Sequence, residues 1–164
     1  MTRKMTQWPT INPGDYARWR GDFEIPPVRQ LLAKFAPSAA EHTCMILFVA
    51  HLGPRSLTRE QVGIIWPELR TRRTRISLTD YVIMWLAALL KDKTGRLNED
   101  VATLLTAADV PAGKSDAWEA EAVKKRRARV VRVAGRNSFL TSMLGPRLIV
   151  SRFAPELLRA RRSG

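Results

Sequence analysis

Hydrophobic positions along this chain recur mostly at three- and four-residue spacings, as they do in helices that turn one face to a core. Val28, Leu31, Leu32 and Phe35 fall at i, i+3, i+4 and i+7, which predicts a helix from Pro26 or Pro27 to about Phe35. Proline is tolerated in that first turn, because the N–H it lacks has no partner inside the helix. Ser38 with Glu41 has capping-box spacing. The nearly unbroken apolar segment 44–52 then predicts a second helix, stopped by Gly53 and Pro54. Thr58 with Gln61 repeats the spacing ahead of a face formed by Val62, Ile65, Trp66 and Leu69, which Gly63 and Pro67 weaken.

Further along, Ser77 or Thr79 opens a helix that Gly95 closes. Its interior, residues 81–90, is apolar on every side, which predicts a helix buried on every side at the centre of the core. Asn98 caps a shorter helix to about Ala108, with Val101, Leu104 and Leu105 inward. Ser115 or Asp116 starts the longest helix, which Gly135 ends. A short helix over 137–144 and one or two turns over 147–162 complete the chain. Only residues 129–133 carry a β-branched run, and their Ala-, Glu-, Lys- and Arg-rich flank favours helix. Pro9, Pro13 and Gly14 make residues 1–25 an irregular arm, with Trp8, Tyr16, Trp19 and Phe23 available to pack back. The expected fold is all-α: a compact bundle of six to eight helices in one domain over 26–164, after the irregular N-terminal arm and ending in a basic tail.

Composition sharpens this picture. Apolar residues make up 45% of the 164 positions, enough for a packed core. The longest fully apolar run, 82–90, is too short to span a bilayer. Residues 1–10 carry no apolar signal core, so a soluble protein of the cytoplasm is expected. Lys and Arg number 28 against 15 Asp and Glu, a net charge of +13 that attracts polyanions. The excess is uneven: residues 114–164 net +9 and 55–75 net +4, whereas 76–113 net −2.

Enzyme signals are weak. His42, Cys44 and His51 share no ligand spacing and read as structural. Gly113-Lys114-Ser115 ends like a phosphate-binding loop, but position 108 is alanine where that motif needs glycine. Among the acids, Asp80, Asp92, Glu99, Asp100 and Asp109 suggest no catalytic pair; Glu99 and Asp100 complement a helix N-terminus. No enzyme, cofactor or metal is expected.

Basic features are stronger. Lys124, Lys125, Arg126, Arg127, Arg129, Arg132 and Arg136 put seven cations in thirteen residues. Lys125, Arg129, Arg132 and Arg136 align at i, i+4, i+7 and i+11, one stripe about 16 Å long. Ala120, Val123, Val130 and Ala134 face roughly opposite and can dock on the core, while Arg127 has to snorkel out of that apolar face. No acid lies between Glu121 and Glu156, unlike the mixed charges of an ordinary solvated helix face. Arg70, Arg72, Arg73 and Arg75 form a second patch on a link between helices, where Thr71 and Thr74 add hydroxyls. Arginine suits phosphate because its planar fork binds two oxygens at once. Trp66, Trp85 and Trp118 sit at core positions. Trp19, between Arg18 and Arg20, has two readings: an anchor for the arm or a platform for an unpaired base.

With its small size, helical reading, lack of an active site and separated Arg-rich patches at 70–75 and 124–136, the chain resembles the small subunit of multi-subunit CRISPR effector complexes. That resemblance implies a helical bundle seated among other protein subunits and holding a guide–target duplex or displaced strand by basic surface residues. The function expected is therefore a non-catalytic subunit that grips RNA or DNA backbone without reading sequence. Two alternatives remain. A helix-turn-helix regulator would use 58–69 and 77–93, a pair whose second helix is too apolar to read bases. A basic protein-interaction or inhibitor module would use its charge for steering alone.

Overall fold

In the computed structural model, which describes residues 13–52, 77–112 and 117–134, the first three helices each begin on a proline. They are α1 (Pro13–Phe23), α2 (Pro26–Leu32) and α3 (Pro37–His51). The remaining helices among the described residues are α4 (Leu78–Leu90), α5 (Leu97–Ala107) and α6 (Ala120–Ala134). The architecture is all-α, as the hydrophobic spacing predicts.

Over 13–23 a helix, α1, replaces the irregular path expected for the arm 1–25, whose residues 1–12 lie outside the described residues. Pro13 starts a helix instead of breaking one, since a first-turn proline loses no hydrogen bond, and Asp15 in that turn complements the dipole. Tyr16, Trp19 and Phe23 then fall on one face. Phe23 is 1% exposed, stacked on Trp19 with ring centroids 4.8 Å apart. Tyr16 and Trp19 both lie 5.3 Å from the Phe48 ring of α3. The first helix is therefore part of the core.

Helix α4 is the centre of the packing. It contacts α3, α5 and α6, while α5 also packs on α2 and α6, and α1 rests on α3. Leu78, Tyr81, Val82, Ile83, Trp85, Leu86 and Leu90 are all buried. The one polar atom of the Trp85 indole is satisfied there: Nε1 donates to Thr43 Oγ1 of α3 at 2.8 Å. An unpaired N–H at this depth would cost about 1–3 kcal/mol.

Helix ends depart from the sequence expectations in four places, each for a local reason. α3 starts on Pro37 after Ala36, with no side-chain cap from Ser38. α4 stops at Leu90, well before Gly95, because Lys91 leaves the helical region (φ −56°, ψ 133°) and, with Asp92 left-handed (φ 66°), forms a turn closed by the Lys93 N–H donating to the Leu90 carbonyl at 3.0 Å. α5 is preceded by Arg96, not Asn98; Thr94 Oγ1 accepts from the Arg96 N–H and donates to Asp100. α6 starts at Ala120, because Thr106 Oγ1 accepts the Trp118 peptide N–H at 2.9 Å and holds that residue outside the helix. The helices expected over 58–69, 137–144 and 147–162 lie outside the described residues.

Cys44 sits in this interior, and burial pushes its thiol from an ordinary 9.0 up to about 11. The folded chain thus keeps a proton that the unfolded chain releases. The stabilisation is complete below pH 9 and is lost as pH rises toward about 11. Thermal unfolding scanned across that window is expected to show falling stability, and Cys44→Ala is expected to flatten part of the fall. An identical slope in both proteins would exclude Cys44 as its source.

Candidate nucleic-acid interface

Helix α6 carries the basic run, and its register decides which cations face out. Val123 and Val130 are buried against the core, seven residues apart and so on one face. Lys124, Lys125, Arg129 and Arg132 are exposed, while Arg126 and Arg127 are half-buried. No hydrogen bond or ion pair to a described residue holds Lys124, Lys125 or Arg132. Arg127 does not simply snorkel: its Nη1 donates to Asn98 Oδ1 of α5 at 2.7 Å. Asn98, expected as a cap, instead receives this inward arginine. Arg136 and the patch of Arg70, Arg72, Arg73 and Arg75 lie outside the described residues.

Arg126 and Arg129 converge on Asp80. Arg126 Nη1 donates to Oδ1 and Arg129 Nη1 to Oδ2, each at 3.1 Å. Asp80 is 2% exposed, whereas the arginine side chains are 38% and 45% exposed. The carboxylate is fixed from behind. Ser77 caps α4 by accepting the Asp80 N–H on Oγ, and Asp80 Oδ2 accepts the Ser77 N–H, both at 3.1 Å. Arg126 also lies over the Trp118 ring, 5.2 Å from its centroid. That indole is anchored in turn by Nε1 donating to the Val110 carbonyl at 2.9 Å.

Spacing along the chain sets Asp80 among five acids with no catalytic pair and Arg129 in the cationic stripe, and does not show that the two meet. Arg129 is both exposed and tied to the core. The legible signal was Asp80 itself: an acid three residues after Ser77, opening a helix that is otherwise apolar all round.

Other sequence candidates take structural places. Trp19 Nε1 donates to the Ala108 carbonyl at 3.1 Å within the Phe23–Phe48 cluster, so it anchors α1. His42 Nδ1 lies 3.0 Å from the Ser38 carbonyl, and His51 Nδ1 lies 3.1 Å from that of Asp109. Among the described residues, no three His, Cys, Asp or Glu side chains gather as a metal site. No helix among them is long and apolar enough to cross a membrane. The burial of Tyr81 through Ala87 leaves α4 no polar face for base edges, which counts against it as a recognition helix. The fold also joins two segments distant in sequence: Lys93 Nζ donates to the Lys34 main-chain carbonyl at 2.9 Å.

Compared with the known protein families, the curated proteins and the solved structures, the chain matches none.

The Asp80 cluster has a testable energetic signature. Each ion pair is worth about 1 kcal/mol or less, because both arginine side chains are more than a third exposed and screened. Arg126→Ala or Arg129→Ala alone leaves Asp80 one cation; together they leave a buried carboxylate with neither. Urea denaturation is expected to show the double variant losing more stability than the sum of the singles. Additive losses would mean that the two arginines act independently of the carboxylate.

Proposed function

We propose that this protein is a non-catalytic subunit of a nucleoprotein complex that grips RNA or DNA backbone through arginine- and lysine-rich surfaces without reading sequence. The observation that carries this reading is the outward face of α6. Lys124, Lys125 and Arg132 are exposed along it, with Arg129 between them, on a helix whose other face is docked by Val123 and Val130. From Lys125 to Arg132 the cations span about 10 Å of helix axis, a rise that reaches successive phosphates of a strand. Lys and Arg act there by displacing counterions condensed on the phosphates, so the attraction is sequence-independent. The net charge of +13 supports the same partner over a longer range. Arg70, Arg72, Arg73, Arg75 and Arg136 extend the proposed contact set on sequence grounds.

The assembly we propose is the class that the sequence resembles, a multi-subunit CRISPR effector in which a small helical subunit contacts other protein subunits and the nucleic acid. Such a role needs neither cofactor nor membrane and belongs in the cytoplasm.

Binding to oligonucleotides of unrelated sequence, followed by fluorescence anisotropy, tests the reading. If roughly six to ten phosphates are contacted, affinity is expected to fall on the order of 10³–10⁵-fold between 50 and 200 mM salt. Replacing Lys124, Lys125 and Arg132 together by alanine is expected to weaken every sequence alike and to reduce the salt slope by about 3. Arg129 is left out of that set because it also holds Asp80. A binding curve flat in salt contradicts the proposal, and a loss confined to one sequence favours a regulator.

A further inference from the structure

We infer that Asp80 is a positioning residue for phosphate: it yokes Arg126 and Arg129 into one two-guanidinium fork that takes a single backbone phosphate. The inference rests on the nucleic-acid reading above and deepens it. Arg126 and Arg129 stand three residues apart on α6, so their side chains leave the helix as neighbours. Nη1 of each donates to a different oxygen of the same carboxylate at 3.1 Å. The carboxylate cannot swing away with them, because the Ser77 N–H holds Oδ2 at the start of α4. Arg126 is fixed a second time by the Trp118 ring beneath it. More than a third of each arginine side chain nonetheless stays open to solvent, on the same surface as Lys125 and Arg132.

The chemistry follows from those contacts. A flexible surface arginine loses rotamer freedom when it closes on a phosphate, and this weakens binding. Here that freedom is already lost on folding. A phosphodiester shares one negative charge between two non-bridging oxygens, which suit two adjacent guanidiniums held by one carboxylate. A buried acid beside a phosphate site repels the ligand if only charge is counted. Positioning and charge therefore predict opposite signs for its removal.

Asp80→Asn separates them. The substitution raises net charge by one from +13, so electrostatics alone predicts tighter binding. The positioning role predicts binding about tenfold weaker, from two arginines that must be ordered anew. The measurement is anisotropy with a mixed-sequence oligonucleotide across 50–200 mM salt, alongside guanidinium NMR signals that report whether the two side chains are ordered. Arg126→Lys/Arg129→Lys keeps every charge but abolishes the fork, and is expected to weaken binding to a similar extent. It decides the question if the Asn variant does not fold. Wild-type binding with the salt dependence described, together with equal or tighter binding by the variants, overturns the fork and leaves the nucleic-acid reading standing. Absence of salt-dependent binding by the wild-type chain overturns both.

Discussion

The arrangement of this molecule depends on one buried carboxylate. Asp80 ends the central helix at its N-terminal turn, closes a capping box with Ser77, and accepts from two arginines of α6. A charge that is 2% exposed is stable only when paired and hydrogen-bonded, and here both its oxygens are engaged. The same contacts set the rotation of α6 about its axis. With Arg126 and Arg129 drawn toward Asp80 and Val123 and Val130 against the core, Lys124, Lys125 and Arg132 must face solvent. A structural ion pair and an outward cationic surface thus come from adjacent turns of one helix.

The rest of the fold supplies the platform. Trp85 to Thr43 joins α4 to α3, Trp118 to Val110 holds the approach to α6, and Trp19 to Ala108 fastens α1. Each tryptophan buries a large apolar surface while its indole N–H meets a partner from another part of the chain. None of the three is left to stack on a base. The proposed function accordingly draws on cations alone, which agrees with a backbone grip that ignores sequence.

Much of the fold was legible because burial imposes the spacing it needs. Residues 81–90, apolar on all sides, form the helix buried on all sides, and Val101, Leu104 and Leu105 face inward in α5 as their spacing predicts. Helix ends were read less well, because capping turns on competition among nearby groups. Thr94, not Asn98, serves the start of α5, and Pro13 opens a helix where proline and glycine together suggest a break. The basic run of the candidate site was plain in the sequence. Its internal partner was not, since Asp80 lies 46 and 49 positions from the arginines it binds, beyond any local periodicity.

Lysine footprinting gives the most direct measure of the central claim, that the outward face of α6 meets the nucleic acid. Reductive methylation of the native chain at low salt, with and without a mixed-sequence oligonucleotide, followed by mass spectrometry, reports each lysine separately. Protection of Lys124 and Lys125, with Lys34, Lys91 and Lys93 still reactive, is the predicted result. Protection of those three with Lys124 and Lys125 unprotected, or protection of none, would contradict the account.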